Sequence, residues 1–328
     1  MIDKLKILFI GFGGFSKVRQ RYLSEFSNVE LVGFYDPYFS GEKKIHQFYD
    51  LNEAWGLCQA VIISVPPKFA PNYVSMALDK GVKVFCEKPA AVSFSDLSEV
   101  ANHLKPDSML AYGFNHREHP SIKKMKEVVE TEVLGKVLWM RGRYGKEVDD
   151  SYKSTWRCNP DLNGGGILID QGIHLVDLMS YLSGGFDGAQ AVLSNNYLGI
   201  ERVDDNGFIT LYSTKSKIAA SLHSTVTQWR YLFSLEIFLE HGSLILNGLR
   251  TNSGRYGEEI LSIKPNSKKE ADMGIQEIRY PENVSWRNEM EAFVEACCNN
   301  SQYPYANYSD ACDTTKLMDL IYKKAVWL

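Results

Sequence analysis

The stretch Leu5–Ser16, LKILFIGFGGFS, decides the fold. Within it, Lys6–Ile10 forms a mainly apolar run of strand length, glycines follow at positions 11, 13 and 14, and a helical pattern begins at Ser16. This order corresponds to the dinucleotide fingerprint G-x-G-x-x-G/A, with Ser16 in the third position. The first glycine of that fingerprint permits a tight turn, the second lets the backbone approach a pyrophosphate, and the helix N-terminus attracts the anion.

We therefore predict that this turn binds a dinucleotide, the alternative being an ordinary strand–helix turn. The predicted contacts are Gly11, Phe12, Gly13, Gly14, Phe15 and Ser16. Asp36 lies 25 residues after Gly11 and ends a second apolar run, near the expected spacing of about 20 residues. A carboxylate there accepts hydrogen bonds from the adenine-ribose hydroxyls and repels a 2′-phosphate, and no arginine follows it in residues 37–40. The sequence thus favours NAD over NADP, although Asp36 is also compatible with a solvated loop.

Strands and helices alternate through the first third of the chain. Short apolar runs at residues 60–64, 82–86 and 109–112 are separated by helical patterns at 69–80 and 95–104. This alternation predicts an α/β, doubly wound parallel sheet, which we assign to a first domain of residues 1–120. Residues 121–328 predict an α+β domain with a large open antiparallel sheet, because strand-like runs dominate between residues 189 and 280. The helices predicted at 286–298 and about 309–324 are candidates to pack back on the first domain.

The composition excludes several classes of protein. The 36 Lys and Arg against 40 Asp and Glu among 328 residues give a formal charge of −4, without the basic excess that binds nucleic acid or an anionic membrane. The apolar run Leu5–Phe15 is too short to cross a bilayer, which needs about 20 residues. The six cysteines include no C-x-x-C pair, so we expect free thiols, no metal and a cytoplasmic location.

Three further motifs occur in a defined order. Val65-Pro66-Pro67 follows the third apolar run, Glu87-Lys88-Pro89 follows the fourth, and GGGILIDQGIH occupies residues 164–174. The set resembles the Gfo/Idh/MocA family of glucose–fructose oxidoreductase, inositol dehydrogenase and relatives, over nearly the whole chain. The resemblance implies a nicotinamide cofactor, a two-domain fold and hydride transfer at a sugar or polyol carbon. It extends the expected cofactor-binding residues to Ser64, Pro66, Glu87 and Lys88, with a cis Lys88–Pro89 bond.

Asp170 and His174 are four residues apart, so a helix places them on one face. A carboxylate one turn from an imidazole orients it, and oxidation of an alcohol needs a base for the hydroxyl proton. The family uses matching Lys, Asp and His residues in this way, so the expected catalytic residues are Lys88, Asp170 and His174. The principal base remains open between Lys88 and His174. The glycines before them let the helix start close to a ligand or to another backbone. The alternative to a catalytic role is that Asp170 and His174 form an ordinary surface or helix-capping pair.

Other polar residues are candidates to contact the substrate. Asn115 and Arg117 follow the fifth apolar run, and Arg157 belongs to a Trp-Arg pair common in relatives. Each is equally compatible with an interdomain salt bridge. Tyr144 and Lys146 end a long predicted strand and are candidates to face the site, whereas Asp177 fits a supporting role. His116 and His119 lack a metal-ligand spacing.

These residues favour an NAD(P)-dependent dehydrogenase or reductase acting on a sugar or nucleotide sugar. The alternatives are a cyclitol dehydrogenase of the inositol type and a non-catalytic NAD-binding regulator. Joint retention of Lys88, Asp170 and His174 argues against the regulator, which does not need them. We also expect a homodimer or homotetramer formed through the uncovered face of the antiparallel sheet.

Overall fold

A computed structural model describes residues 4–268 and 274–328. The chain divides into two compact units. The first comprises the chain up to Asn115 together with Trp286–Thr315, and the second comprises His116–Ser285 and Lys316–Leu328. The domain boundary at residue 120 stays a prediction, and the units are described separately.

Within the described residues, the first unit contains a parallel sheet of six strands in the order β3-β2-β1-β4-β5-β6. The strands are β1 Leu5–Ile10, β2 Val29–Tyr35, β3 Gln47–Phe48, β4 Ala60–Ile63, β5 Lys83–Glu87 and β6 Leu110–Gly113. This strand order is that of dinucleotide-binding domains, whose ligands bind beyond the carboxyl ends of the strands. The predicted doubly wound sheet is confirmed.

Helices cover this sheet because apolar residues line its strands. They are α1 Gly14–Leu23, α2 Leu51–Trp55, α3 Ala70–Asp79, α4 Phe94–Ser98 and, from near the end of the chain, α8 Ser285–Asn299. Ile7, Phe9 and Ile62 are fully buried in the same apolar cluster as Met290 and Phe293 of α8. The distant helix α8 therefore completes the core of the first unit.

The second unit is built on a sheet for which the described residues supply nine strands, ordered β14-β13-β12-β11-β7-β10-β9-β8-β15. The strands are β7 Val137–Glu147, β8 Gly188–Ser194, β9 Asn206–Tyr212, β10 Ala219–Thr225, β11 Thr227–Leu239, β12 Gly242–Asn247, β13 Glu259–Pro265, β14 Gln276–Tyr280 and β15 Ala325–Trp327. The sheet is mixed, because β10 pairs with β7 and β15 pairs with β8 in parallel, where the sequence predicted antiparallel pairing throughout.

Three helices and part of a fourth accompany this sheet in the described chain. They are α5 Pro120–Glu130, α6 Pro160–Asn163, α7 Ile173–Ser183 and the C-terminal part of α9 Tyr308–Lys324, whose first residues belong to the first unit. Gly142 of β7 lets α7 approach closely, since a Cβ there would lie 2.7 Å from the Met179 side chain. The opposite face of the sheet exposes Val192 and Phe208.

The helix that the sequence predicts to carry Asp170 and His174 is not a regular α-helix throughout. Leu168–Gly172 forms a turn of π-helix, and the α-helix begins only at Ile173. Such π turns concentrate at functional sites, and this one contains Asp170.

Two features help to identify the class of protein: whether a helix can cross a membrane, and whether the cysteines form disulfides. Among the described residues, no helix combines the length and the apolar character needed to cross a membrane. The six cysteines are free thiols, and all except Cys298 are buried.

Candidate functional site

The glycine turn of the first unit is closed by three backbone constraints. Gly11 has φ 78°, and a Cβ on it would lie 2.4 Å from the carbonyl oxygen of Ser64. Ser16 Oγ donates to the Gly11 carbonyl at 2.6 Å, so serine in the third fingerprint position locks the turn. A Cβ at Gly13 or Gly14 would meet no atom within 4 Å, which leaves open space beside the turn.

Asp36 is tied directly to this turn. Its Oδ2 accepts from the backbone N–H of Phe12 at 2.8 Å, and its Oδ1 accepts from Tyr38 N–H at 3.0 Å. Each carboxylate oxygen keeps further acceptor capacity, as a bond to a ribose hydroxyl requires. Helix α1 begins at Gly14 without a side-chain cap, so its N-terminal dipole is available to a phosphate. These residues fit a dinucleotide.

Ser64 and Pro66 follow β4 beside the turn. The hydroxyl oxygen of Ser64 is buried and finds no hydrogen-bond partner among the residues that the structure describes. A buried polar atom without a partner needs an explanation, and a bound polar ligand supplies one. The predicted contact at Ser64 therefore also fits a cofactor.

The two phenylalanines of the turn differ in their surroundings. The Phe12 ring is buried and stacks on Phe34, with centroids 4.2 Å apart, so the ring belongs to the core and only the backbone faces the turn. Phe15 is 39% exposed and stacks on Trp286.

Glu87 is engaged in a buried ion cluster. Its Oε1 accepts from Nε of Arg19 at 2.8 Å, and Nη1 of Arg19 lies 2.7 Å from Oε2 of Glu289. Burial opposes the charge on Arg19, but the carboxylates of Glu289 and Glu87 raise its pKa. The cluster joins α1 to the end of β5, immediately before Lys88 and its cis peptide bond to Pro89. This geometry gives Glu87 a structural partner where the sequence led us to expect a cofactor contact.

In the second unit, Asp170 lies between two cationic side chains. Its Oδ1 accepts from Nε of Arg157 at 3.2 Å, and its Oδ2 lies 3.4 Å from Nζ of Lys146. The structure thus brings Arg157 and Lys146, both candidates from the sequence, to the predicted catalytic carboxylate. All three side chains are largely buried and keep part of their surface exposed.

His174 packs against a second histidine. Its ring stacks on His116 with centroids 3.7 Å apart and an interplanar angle of 17°. Nε2 of His116 shares a 3.0 Å hydrogen bond with the hydroxyl of Tyr144. Burial raises the pKa of Tyr144, and the nearby Asp170 charge raises it further, so the phenol stays protonated at neutral pH. The predicted base therefore stacks on a buried imidazole that is itself hydrogen-bonded to Tyr144.

The glycine run before Asp170 serves a close backbone approach. A Cβ on Gly166 would lie 1.9 Å from the Asp204 carbonyl oxygen, so no side chain fits. The Asp204 carboxylate accepts from the N–H groups of Gly166 and Leu168 at 2.8 and 2.7 Å, and from the hydroxyl of Tyr322 at 2.7 Å. For Gly166, these contacts favour a close approach to another backbone over an approach to a ligand.

Two segments of the chain match models of one known protein family. Residues 5–114 match the Gfo/Idh/MocA model described as an oxidoreductase family with an NAD-binding Rossmann fold, and residues 122–245 match the C-terminal domain of the same family. The chain belongs to the Gfo/Idh/MocA family. This confirms the resemblance drawn from the motifs at Glu87-Lys88-Pro89 and residues 164–174.

Curated and solved proteins add to this assignment. D-glucoside 3-dehydrogenase of Escherichia coli (strain K12) is 29% identical over 204 residues, which cover 59% of this chain and 58% of that enzyme. The match therefore spans little more than half of the relative. Levoglucosan dehydrogenase in complex with NADH has a TM-score of 0.82 at 19% identity, covering 98% of this chain and 96% of that chain. A 3-ketoreductase from Actinomadura kijaniata in complex with NADP has a TM-score of 0.83 at 16% identity, covering 99% of both chains. At these identities the solved structures show the fold alone.

Two candidate substrate contacts of this Gfo/Idh/MocA chain lie deeper than expected. Arg117 is buried and forms a bidentate pair with Asp177, at 2.9 Å from Nε and 2.6 Å from Nη2. Since the pair occupies the planar fork, we assign Arg117 and Asp177 a structural role. Asn115 is buried at the end of the first segment of the first unit.

Sequence reasoning missed several residues that build the family site in this chain. Gln171 donates to the hydroxyl of Tyr256, whose ring meets Tyr144 edge to face with centroids 5.2 Å apart. Asp204 and His116 belong to no sequence motif. Only the fold shows that they lie near Asp170 and His174. In the described chain, no three His, Cys, Asp or Glu side chains cluster as a metal site.

Proposed function

We propose that this chain is an NAD-dependent oxidoreductase that interconverts a secondary alcohol and a ketone on a sugar ring. The observation that carries the proposal is the carboxylate of Asp170, held by Lys146 and Arg157 four residues before the stacked His174. The other unit of the same chain carries the glycine turn that fits a dinucleotide. When bound, the nicotinamide would supply the hydride acceptor or donor.

The proposed catalytic residues are Lys88 of the first unit and Asp170 and His174 of the second. His174 and Lys88 are the groups that exchange the hydroxyl proton, and Lys88 also stabilises negative charge on that oxygen. Asp170 holds its cationic neighbours in place and supplies negative charge near the imidazole. Arg157 and Lys146 offer N–H donors suited to sugar hydroxyls.

NAD is the proposed cofactor because of Asp36. Its carboxylate is fixed against the Phe12 N–H, where it repels the 2′-phosphate that distinguishes NADP. Solved relatives of the same fold bind NADH in one case and NADP in another, so the fold alone does not choose.

The substrate class rests on the family and on the relatives that act on glucosides and related sugars. Nucleotide sugars and cyclitols present the same secondary alcohol and are the alternative substrates. The decisive experiment follows absorbance at 340 nm with NAD or NADP against glycosides, free sugars, sugar acids, nucleotide sugars and inositols. Turnover of a sugar supports the proposal. Dinucleotide binding without turnover of any compound would favour the regulator.

We also propose that the chain forms a homodimer through the outer face of the nine-stranded sheet. A groove of about 820 Å³ on that face is lined by residues that include Val192, Phe208, His223 and Val326. Val192, Phe208 and Val326 are 39%, 55% and 59% exposed, which is unusual for large apolar side chains on one sheet face. Light scattering after size exclusion tests this, and Phe208→Glu should give a monomer if this face is the interface.

A further inference from the structure

A cleft of about 460 Å³ lies beside Asp170 in the second unit. The reaction proposed above assigns no role to this cleft. Its walls include Lys146, Tyr152, Trp229, Tyr231 and Arg255. The volume falls within the range of about 300–1,000 Å³ typical of small-molecule pockets, which combine aromatic walls with a few polar groups. The cleft therefore has the size and lining of a ligand site.

A large bulge in β11 creates the aromatic wall. β11 pairs with β7 at Thr227↔Glu147 and next at Leu232↔Gly145, so the four residues 228–231 stand opposite Lys146 alone. Gly145 accommodates the bulge, because its Cα leaves room for the Gln228 side chain that a Cβ would meet at 2.8 Å. Bulges of this kind redirect side chains beside active sites. Here the bulge presents Trp229, with φ 55° and 61% of its surface exposed, together with Tyr231.

Neighbouring rings hold both aromatic side chains in place. Trp229 meets Tyr197 edge to face with centroids 5.3 Å apart. The hydroxyl of Tyr231 accepts from Nη1 of Arg255 at 2.9 Å, and its ring meets Tyr256 edge to face at 5.0 Å. An indole that is largely exposed and packed against a neighbouring ring offers a flat apolar surface at a low cost in conformational entropy.

The cleft shares one wall residue, Lys146, with the surroundings of Asp170. Lys146, which forms part of its wall, lies 3.4 Å from Asp170 Oδ2. On the aromatic side, Tyr256 contacts both Tyr231 and Tyr144, and Tyr144 is hydrogen-bonded to His116 beside His174. A ligand bound near Asp170 can therefore extend into the cleft without leaving the second unit.

The charges along the cleft cancel. Lys146 and Arg255 are balanced by Glu147 and Asp149, which also line it. A flat aromatic wall with a neutral sum of charges suits an uncharged ring, whereas a nucleotide diphosphate would call for an excess of cations.

We propose that this cleft is a second-ring subsite, in which Trp229 and Tyr231 stack on an uncharged ring joined by a glycosidic bond to the sugar that is oxidised. The substrate class is thereby a glycoside with an aryl group or a second sugar, in preference to a free monosaccharide. This inference rests on the proposed function for the identity of the first ring.

The test compares methyl, phenyl and disaccharide glycosides of glucose and galactose in the same assay. For the unaltered chain, kcat/KM with NAD should be about two- to tenfold higher for a two-ring substrate than for the methyl glycoside, in line with stacking on an aromatic side chain. Phenyl glycosides and disaccharides serve as separate arms that distinguish an aryl group from a second sugar. Trp229→Ala should reduce that ratio toward one, and Trp229→Phe, which keeps a flat ring, should retain most of it. Tyr49→Ala, which removes a 75% exposed ring in the first unit, is the matched control.

Saturation-transfer NMR gives a second readout that needs no turnover. The phenyl protons of a phenyl glycoside should receive saturation from the unaltered chain and lose it in Trp229→Ala, with circular dichroism showing that the variant is folded. Equal kcat/KM for one-ring and two-ring substrates, or phenyl saturation that survives Trp229→Ala, overturns the subsite. Absence of hydride transfer to every substrate overturns the proposed function instead, and the NMR result then still decides the subsite.

Discussion

The imidazole rings of His116 and His174 stack with their centroids 3.7 Å apart. His116 follows the first segment of the first unit along the chain, whereas His174 lies at the start of α7. The stack and the hydrogen bond from His116 to Tyr144 fix the plane of the proposed proton-transferring ring.

Removing His116 should therefore impair catalysis through the orientation of His174. We expect His116→Ala to lower kcat about tenfold or more, within the usual contribution of positioned acid–base groups. His116→Phe keeps a flat ring and should recover part of kcat. Steady-state kinetics with NAD and the best sugar would measure both, and unchanged kcat in His116→Ala would remove His116 from the account.

Asp36 should control the choice of dinucleotide. Asp36→Arg removes the repulsion of a 2′-phosphate and adds a cationic partner for it, so NADPH affinity should rise and NADH affinity fall, each by about tenfold. Asp36→Asn retains an acceptor for the Phe12 N–H and separates the loss of charge from the loss of the turn contact. Titrations followed by nicotinamide fluorescence measure both affinities, and an unaltered ratio in Asp36→Arg would contradict the assignment of NAD.

The buried cluster around Arg19 should be a large contributor to stability. Arg19→Met leaves Glu87 and Glu289 without their cation in the interior, and removing one partner of a buried pair costs about 3–5 kcal/mol. The matched control is Arg21→Met on the exposed side of the same helix α1. Urea unfolding monitored by circular dichroism compares the two. Equal losses of unfolding free energy in the two variants would show that the buried Arg19 stabilises the fold no more than the exposed Arg21 does.

Glu259 should make part of the stability dependent on pH. Burial opposes its ionisation, but the hydrogen bond and charge of His119 prevail and lower the pKa of Glu259 below its ordinary value of 4.5. Because the folded pKa is below the unfolded one, its stabilising effect is present above about pH 4.5 and is lost as the pH falls through the folded pKa. Glu259→Gln should flatten the fall in unfolding free energy between about pH 5 and about pH 3. Glu258→Gln, on an exposed neighbour, should retain it.

Local patterns predicted most of the fold. Three features each consist of consecutive residues: the apolar runs, the glycine turn and the Glu-Lys-Pro motif. Their structures therefore depend mainly on their neighbours in sequence. The two-residue strand β3 and the C-terminal strand β15 escaped prediction, because each acquires its structure by pairing with a strand distant in sequence. The π-helical turn at Leu168–Gly172 escaped for a related reason, since the distant Asp204 accepts from the backbone N–H groups of Gly166 and of Leu168, the first residue of the turn.

The candidate site was only partly predictable. Asp170 and His174 stand in one motif, and Lys146 and Arg157 were candidates that the fold brings to Asp170. The stacking of His116, the fixation of Gly166 by Asp204 and the bulge bearing Trp229 all depend on contacts between segments far apart in sequence. For Arg117 the sequence left a substrate contact and a salt bridge open, and the fold pairs its guanidinium with the buried carboxylate of Asp177.

The central claim, that Asp170 and His174 serve hydride transfer between NAD and a sugar, is tested most directly by one paired measurement. Reduction of NAD by a glycoside is followed at 340 nm for the unaltered chain and for His174→Ala, Asp170→Asn and Lys88→Met, with NADH affinity measured on the same samples. We expect turnover in the unaltered chain and a loss of at least about 10²-fold in kcat in each variant, with NADH affinity largely retained in His174→Ala and Asp170→Asn. Turnover that survives unchanged in both His174→Ala and Asp170→Asn would contradict it.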